Sequence, residues 1–309
     1  MKKIDTLVED IYEKVSVVAE GEQLDVTDEA IDKFGEGMKE ALKTWLTPRE
    51  EREPTLRMSN IGRPERQLWF DMNSPATAQL PSPATMIKFL LGHLSEPLMA
   101  FLVELAGHTI TDEQKEIKVK GIVGHMDCKI DGEVVDMKTA SRFAFTKFVN
   151  GTLAESDHFG YLGQLAGYEK NEGTNKGGFL VLNKEGGDIC FFRPEELDKP
   201  NISAKIDKTK KIIKRKIPPK ELCYAPVAEG TYGNYKIAKP CNYCPHKFLC
   251  HKDANNGEGL RVFKYAKGRA YFTTVAKKPN VLEITHVAQR SESSSSWRGR
   301  TDKYAKTTS

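Results

Sequence analysis

The stretch GHMDCKIDGEVVDMKTAS, residues 124–141, consists of two strand-like runs separated by Asp131-Gly132. Asp-Gly is a strong signal for a two-residue hairpin turn, because both turn positions favour positive φ. Residues equally distant from such a turn lie opposite each other on the two strands. The turn therefore predicts that Asp127 lies opposite Asp136, with both carboxylates on one face of the hairpin.

This predicted pair of carboxylates carries a physical cost. Like charges directly opposite each other destabilise a sheet, and a hard divalent cation between them would remove that cost. Lys138 shares the face of the two acids, since strand side chains alternate with a period of two, and His125 is expected opposite Lys138. The alternative is an ordinary exposed hairpin whose charges lie in water.

The segments on either side of the hairpin have the composition of helices. Residues 86–107 form an apolar run that carries Glu96. Residues 157–173 carry Gln164 and Tyr168, which lie one turn apart on the same helix face. The chain order is therefore a helix with an acid, a strand with an Asp, a strand with Asp-x-Lys and a helix with Gln-x-x-x-Tyr.

These four elements together resemble the PD-(D/E)XK nuclease superfamily, in particular its RecB-like branch. That branch includes phage-type exonucleases and the iron–sulfur nucleases of CRISPR adaptation. The matching motifs are GHLSEP, GHMD, DMK and QLAGY, and Met126 stands where the family usually has a proline. The resemblance covers residues 56–251 and implies an α/β fold with a restriction-endonuclease-like core, in which helices flank a mixed central sheet.

The resemblance also implies a site for Mg²⁺ or Mn²⁺ that supports hydrolysis of phosphodiester bonds in DNA. The expected metal ligands all offer oxygen and are Glu96, Asp127, Asp136 and the carbonyl of Met137. Lys138 would position or activate water and stabilise the developing negative charge. Gln164 and Tyr168 would orient that lysine or hold the DNA backbone. His93 and His125 are weaker candidates, because a lone histidine near an apolar face more often has a structural role.

A cluster of cysteines lies towards the C-terminus and consists of Cys223, Cys241, Cys244 and Cys250. In a cytoplasmic protein this spacing is typical of metal ligands rather than disulfides. The resemblance implies a 4Fe–4S cluster, although the RecB-like branch takes its first cysteine from a position near residues 61–70, where this chain has none. Cys223 is therefore the expected fourth ligand, with His246 or His251 as alternatives, and Zn²⁺ remains an alternative metal.

Other segments predict further parts of the fold. Residues 177–193 predict a second hairpin around NKEGG that extends the sheet. Cys190 in this hairpin and Cys128 in the first are expected to pack in the core. Residues 1–50 have helical spacing in two segments, and residues 58–73 predict one further helix.

A basic segment, residues 202–220, has helical spacing and is the main candidate for binding nucleic acid. Lys208, Lys211 and Lys214 form a local positive patch that suits the phosphate backbone, and Arg66 is a further candidate. A solvated helix face is the alternative interpretation of the patch.

The whole chain has 309 residues, of which 39% are hydrophobic and 29% charged, as is typical of globular proteins. The net charge of +4 by itself indicates little about nucleic acid. No apolar run is expected to reach the length of a membrane span, and the N-terminus reads as an amphipathic helix rather than a secretory signal. A cytoplasmic location is therefore expected, in the host cytoplasm if the protein is phage-encoded, with no membrane partner.

The expected domain organisation is a helical segment at 1–55, a nuclease core at 56–220, a cysteine metal module with a β extension at 221–287 and a disordered tail at 288–309. The expected function is that of a metal-dependent deoxyribonuclease, an exonuclease rather than an endonuclease, that acts on DNA ends or single strands. DNA and a replication or recombination protein are the expected partners, and the oligomeric state is open. The alternative is a non-hydrolytic DNA- or partner-binding protein with a structural zinc site on a nuclease-like scaffold.

Overall fold

The computed structural model describes residues 2–47, 53–266 and 268–284. The chain divides into two compact units, of which the first contains Met1–Pro75 and Leu80–Pro219. The second contains Ala76–Gln79 together with the described chain from Lys220 onward. The predicted tail at 288–309 and most of the charged segment at 47–54 lie outside the described residues.

The helices of the first unit, within the described residues, are α1 (Leu7–Ala19), α2 (Asp28–Leu46), α3 (Met58–Ile61), α4 (Glu65–Asn73), α5 (Pro83–Leu105), α6 (Arg142–Val149), α7 (Tyr161–Glu172) and α8 (Ile202–Ile213). Both helices expected in residues 1–50 are present as α1 and α2. Thr27 caps α2, because its hydroxyl accepts a hydrogen bond from the amide of Ala30 at 3.3 Å.

The strands of the first unit are β1 (Ile110–Thr111), β2 (Lys115–Val119), β3 (Ile122–Met126), β4 (Cys128–Ile130), β5 (Glu133–Ala140), β6 (Gly178–Asn183) and β7 (Ile189–Phe192). Five of them form a sheet in the order β1-β4-β5-β6-β7, and β2 and β3 form a separate antiparallel pair. Strands β5 and β6 run parallel, whereas the other neighbours in the sheet are antiparallel. The second predicted hairpin is confirmed as β6 and β7, and it extends the sheet as expected.

The first predicted hairpin is also confirmed in its register. Cys128 pairs with Val135, and the turn residues Asp131 and Gly132 have φ values of 49° and 87°. The expectation that His125 lies opposite Lys138 is wrong. His125 belongs to β3 and pairs with Glu116 of β2, because the chain leaves the β4–β5 ladder at Asp127.

The core lies on both faces of the sheet, as the alternation of strand side chains requires. Val134 of β5 and Phe179 of β6 face one apolar cluster, which α3, α7 and α8 help to form. Val135 and Leu180, one residue further along each strand, face a second cluster that α1 and α5 complete. The mixed sheet flanked by helices agrees with the α/β class expected from the sequence. Cys128 is buried in the second cluster and Cys190 packs against the first, so their expected role in packing is confirmed.

A buried histidine links the β4–β5 hairpin to the N-terminal helix α1. Nδ1 of His108 lies 2.6 Å from a carboxylate oxygen of Asp131, and Nε2 lies 2.9 Å from Asp10 in α1. The same Asp131 carboxylate accepts the backbone amide of Thr109 at 3.0 Å. The turn that sets the register of the hairpin is therefore held by side chains as well as by its own backbone.

The single helix expected over residues 58–73 is two short helices, α3 and α4, so that expectation needs correction. The break lies at Gly62-Arg63-Pro64, since Pro64 has no amide hydrogen and disfavours helical geometry in the residue before it. Gly62 packs directly on the backbone of Gly160, where an added Cβ would overlap the carbonyl group. The break thus places the start of α4 beside the start of α7.

The expectation that no apolar run reaches the length of a membrane span is wrong for helix α5. Its 23 residues have a hydropathy of 1.4 in the most apolar window, which is enough by length and composition to cross a membrane. Within the first unit, however, α5 contacts α2: the rings of Phe34 and Phe101 lie 5.4 Å apart, and the indole of Trp45 donates to the carbonyl of Met86 at 3.0 Å. The helix also carries Glu96, which places a carboxyl group in the candidate site described below.

The second unit contains a small antiparallel sheet and the cysteines. Its described strands and α-helix are β8 (Val227–Glu229), β9 (Asn234–Lys236), α9 (Lys247–Cys250), β10 (Arg261–Tyr265), β11 (Gly268–Thr274) and β12 (Glu283–Ile284). The strands lie in the order β12-β10-β11-β9-β8. The buried rings of Phe263 and Phe272 meet edge to face at 5.2 Å, and Arg261 pairs with Glu283 across the sheet. The β extension expected within residues 221–287 is therefore present as strands as far as the described chain extends.

Candidate active site

Asp136 lies at the centre of the candidate site, on the middle strand β5, with its side chain fully buried. One carboxylate oxygen, Oδ1, accepts a hydrogen bond from the ammonium of Lys138 at 2.7 Å, and Nε2 of Gln164 lies 3.5 Å from the same oxygen. The other oxygen, Oδ2, is buried and has no hydrogen-bond partner in the described part of the chain. Leaving a carboxylate oxygen buried and unpaired is costly, so this atom has the chemistry of a ligand for a hard cation.

Asp127 lies in the link between β3 and β4, at the point where the hairpin ladder ends. Its Oδ2 accepts the backbone amide of Met137 at 2.8 Å, which fixes the carboxylate beside β5. Its own backbone carbonyl accepts the amide of Gln114 at 2.9 Å. Asp127, next to the start of β4, therefore lies close to Asp136 of β5, as the turn predicted, and the amide of Met137 holds Asp127 in place.

Glu96 extends into the site from α5, and its surroundings shift the pKa of its carboxyl group. Burial and the nearby charge of Asp127 raise this pKa to about 7. The side-chain amide of Gln114 donates to Oε1 of Glu96 at 2.5 Å, an interaction that the sequence did not predict. Gln114 lies in the loop before β2, where its φ is 51°. Because loop residues follow no helix or strand periodicity, no sequence pattern indicates that Gln114 belongs to the site.

The two aspartates and Glu96 repel one another in this arrangement. Burial and the charge of Asp127 both raise the pKa of Asp136, while Lys138 acts in the opposite direction. As the side chains lie, the described residues contain no group of three His, Cys, Asp or Glu residues close enough to share a metal ion. A cation would relieve the repulsion among the three acids, so the donor types and the unpaired Asp136 oxygen suit a hard divalent metal.

Lys138 is enclosed beside the acids that it neutralises. Burial acts to lower its pKa, but Asp136 and Asp127 outweigh burial, and the pKa of Lys138 is raised. Its ammonium also lies 5.3 Å from the ring centroid of Tyr161, the first residue of α7. The lysine is therefore charged and held between a carboxylate and an aromatic face.

The predicted Gln164 and Tyr168 pair forms a buried network behind the acids. Nε2 of Gln164 donates to the hydroxyl of Tyr168 at 2.6 Å, and that hydroxyl donates to the backbone carbonyl of His125 at 2.7 Å. Burial raises the pKa of Tyr168, so the hydroxyl keeps its proton. This network fixes the end of β3 just before Asp127, whereas the side chain of His125 is exposed.

The residues expected to contact nucleic acid differ in their surroundings. Lys208, Lys211 and Lys214 are all exposed, and the ammonium of Lys208 pairs with Glu65 at 2.8 Å. Arg66 donates to the backbone carbonyl of Pro219 and lies over the ring of Phe70, 5.4 Å from its centroid. Lys208, Lys211 and Lys214 are therefore all open to solvent, and Lys208 differs from the other two in its pairing with Glu65.

The cysteines of the second unit influence one another. The pKa of Cys241 is raised to about 12 by burial and then by Cys223, Cys244 and Cys250, in that order. All three of the other thiols act on Cys241, but as the side chains lie the described residues hold no group of three cysteines or histidines placed to share a metal ion. Lys247, which the sequence analysis missed, is buried next to them and donates to the backbone carbonyls of Asn242 and Cys244 at 3.3 Å each. Burial lowers its pKa, and a cation here would offset the charge of thiolates.

No protein-family model matches the chain, and no curated protein matches it. Several solved structures show weak similarity to the chain, among them the following three. The crystal structure of the protein SSO0001 covers 70% of this chain and 95% of its own, with a TM-score of 0.36 and 16% identity. An alkaline exonuclease from Laribacter hongkongensis covers 55% and 94%, with a TM-score of 0.36 and 13% identity. The same exonuclease in complex with dAMP covers 52% and 90%, with a TM-score of 0.31 and 13% identity.

Proposed function

We propose that this protein is a metal-dependent deoxyribonuclease of the PD-(D/E)XK type and its RecB-like branch, acting as an exonuclease on DNA ends or single strands. The observation that supports it most strongly is the carboxylate of Asp136. One of its oxygens is bound by Lys138, and the other is buried without a hydrogen-bond partner in the described part of the chain. With one oxygen unpaired and Asp127 beside it, the carboxylate of Asp136 is suited to bind a divalent cation next to Lys138.

In this proposal each side chain has one task. The oxygen ligands of Mg²⁺ or Mn²⁺ are Glu96, Asp127, Asp136 and the carbonyl of Met137. The bound ion supplies a Lewis acid and lowers the pKa of water, which makes a nucleophile available at neutral pH. Lys138 orients the attacking water and stabilises negative charge on the phosphate as it develops.

The residues behind the acids are assigned a positioning role. Tyr168 binds the backbone of β3 through its hydroxyl, and Gln164 joins that hydroxyl to the carboxylate of Asp136. These contacts limit the movement of the strand ends that carry the two aspartates. Catalytic groups must be held close to their productive geometry, so a buried network of this kind supports hydrolysis rather than binding alone.

The second unit is proposed to hold a metal centre of its own. Cys223, Cys241, Cys244 and Cys250 would ligate a 4Fe–4S cluster, and Zn²⁺ is the alternative for the same ligands. The short elements and loops around these cysteines support a structural role, because metal–thiolate bonds can close a segment that lacks a large core. We place the reaction in the cytoplasm, or in the host cytoplasm if the protein is phage-encoded, with a replication or recombination protein as partner.

The test compares end-labelled linear duplexes, end-labelled single strands and closed circular DNA, each with Mg²⁺, with Mn²⁺ or with a chelator. We expect metal-dependent release of nucleotides from linear DNA and no cleavage of the circles. Asp136→Asn is the matched inactive control. DNA binding without hydrolysis under any of these conditions would replace the nuclease with the alternative, a non-hydrolytic binding protein with a structural zinc site.

A further inference from the structure

A stacked pair of aromatic rings leads from the candidate site to the surface. The ring centroid of Tyr161 lies 5.3 Å from the ammonium of Lys138. The ring of Phe159 stacks on Tyr161 with 5.6 Å between centroids and 25° between planes. Phe159 is 52% exposed, so about half of the surface of the outer residue is open to solvent. An exposed aromatic face therefore lies one ring away from the lysine of the site.

The turn that carries this pair is held rigid. One carboxylate oxygen of Asp157 accepts the amides of Gly160 and Tyr161 at 2.9 Å each, and the other accepts the amide of Leu162 at 2.8 Å. Three backbone amides that donate to one carboxylate fix the backbone on the C-terminal side of Phe159. An exposed phenylalanine on a mobile loop would lose entropy on binding, whereas this ring is already positioned.

The inner ring is fixed by its own surroundings. Tyr161 contacts Phe148 and Phe179, with 6.4 Å between ring centroids in each case. Burial raises the pKa of the Tyr161 hydroxyl, and Lys138 is the next largest influence on it. Tyr161 is thus a core residue on one side and a support for Phe159 on the other.

Cationic side chains lie near the same turn. Arg63, which follows the Gly62 contact with Gly160, is among the charges that act on Tyr161. Lys205 of α8 is partly enclosed, burial lowers its pKa, and Asp157 is among the charges that act on it. A nucleotide offers a flat ring and an anionic phosphate, and this region offers an aromatic face beside Lys138, Arg63 and Lys205.

We propose that the exposed face of Phe159 stacks on an unpaired base of the DNA strand whose phosphate lies at Lys138. The proposal rests on the proposed nuclease function and deepens it, because it names single-stranded DNA ends as the substrate. In a duplex both faces of an internal base are covered by its neighbours, so Phe159 can reach a base only at a strand end or where the strand is unpaired. Stacking of this kind tolerates any sequence, since every base has a π face.

The test uses two oligomers with the same phosphate backbone, a thymidine oligomer and an oligomer of equal length in which every nucleotide is abasic. Binding is measured by fluorescence anisotropy in metal-free buffer, and hydrolysis is measured with Mg²⁺. The variants are Phe159→Ala, Phe159→Trp and the control Leu197→Ala, whose side chain is 99% exposed in the first unit. Thermal unfolding of each variant reports whether the fold is retained.

We expect Phe159→Ala to weaken binding of the thymidine oligomer about tenfold, as measured losses for base–aromatic stacking indicate, and to leave the abasic oligomer unaffected. Phe159→Trp should restore binding, and Leu197→Ala should match the wild type with both oligomers. An equal effect of Phe159→Ala on both oligomers, or on neither, would overturn the stacking site. If the wild type binds the thymidine oligomer through Phe159 but hydrolyses no DNA, the proposed nuclease function fails and the stacking site is upheld.

Discussion

The ammonium of Lys138 lies 2.7 Å from Oδ1 of Asp136, and the two side chains are 16% and 0% exposed. They come from the same face of β5, two residues apart, so the strand itself sets their separation. Removing one partner of a buried ion pair leaves the other charge without compensation, which costs about 3 to 5 kcal/mol. Changes at Asp136 therefore have two separable effects, one on the pairing of Lys138 and one on the binding of a cation.

Asp136→Asn and Asp136→Ala separate these effects. The Asn variant retains an oxygen that can accept from Lys138, so we expect a folded protein without metal-dependent hydrolysis. The Ala variant removes the acceptor as well, and its free energy of unfolding should fall by about 3 kcal/mol or more. Denaturant unfolding and release of labelled nucleotides measure the two effects. Wild-type hydrolysis by purified Asp136→Asn would contradict the assigned role of this carboxylate.

Tyr168→Phe tests the positioning network. The change removes one hydroxyl and leaves the carbonyl of His125 and the amide of Gln164 without that partner, which should cost about 1 to 3 kcal/mol. We expect the hydrolysis rate to fall about 10- to 100-fold, as is typical when groups that orient metal ligands are removed. Raising the concentration of Mn²⁺ should recover part of the loss. A variant that loses stability but retains the full rate per folded molecule would limit the network to a structural role.

The hairpin and its outcome show what local sequence signals can and cannot predict. The Asp131-Gly132 turn predicted the pairing of Cys128 with Val135, because both positive φ values are encoded in two adjacent residues. The neighbouring turn at Lys120-Gly121 also has positive φ at both residues, 48° and 78°, and joins β2 to β3. Lysine gives no turn signal, so this hairpin was missed and His125 was assigned to the wrong partner.

Contacts between distant segments account for the rest of the difference. Gln114 reaches Glu96 from a loop 18 residues away, and neither its spacing nor its type indicates a site residue. Tyr161 begins the helix that carries the predicted Gln-x-x-x-Tyr motif, yet its place beside Lys138 depends on how α7 packs on β5. The acids could be predicted because strand periodicity and the family resemblance agreed on them, whereas their neighbours are set by tertiary packing alone.

Lys211 and Lys214 give a prediction about salt dependence. If both exposed side chains contact phosphates, changing them together to Ala should make the negative slope of log K against log[salt] shallower by about 1.4 to 1.8. Binding should weaken without a change in sequence preference. The control is Lys39→Ala, because Lys39 is an exposed lysine of α2 paired with Glu36. A slope equal to that of the control would identify the patch as a solvated helix face.

Glu172 gives a prediction about pH. Its carboxylate accepts from Lys129 at 2.6 Å and pairs with Lys115 at 3.1 Å, which ties the end of α7 to β4 and β2. The hydrogen bond from Lys129 is the largest cause that lowers the pKa of Glu172, to about 2 from an ordinary value of 4.5. A lowered pKa means that the stabilisation is complete above the ordinary value and is lost as pH falls towards 2.

We therefore expect Glu172→Gln to lower the free energy of unfolding by about 1 to 2 kcal/mol at pH 7, a value reduced for the exposure of the lysines. The difference between variant and wild type should shrink as pH falls below 4.5 and vanish near pH 2. Urea unfolding at several pH values measures it. The control is Glu40→Gln, an exposed pair on α2, for which we expect no measurable difference at any pH. A Glu172→Gln deficit that persists unchanged at pH 2 would show that lost packing, not charge, is responsible.

Cys241 gives the last prediction, because it is the thiol on which the other three act. If the four cysteines hold one metal centre, Cys241→Ser should remove the metal and make the second unit sensitive to protease. Cys190→Ser is the matched control, since Cys190 lies in the sheet of the first unit. Protein purified without oxygen should be brown, as thiolate-bound iron–sulfur clusters are strongly coloured, and should contain about four irons per chain. If the protein is colourless and contains one zinc per chain, the four ligands stand as assigned and the metal is Zn²⁺ rather than an iron–sulfur cluster. If the purified wild-type protein contains no metal and its second unit still resists protease, a metal centre at these cysteines is excluded.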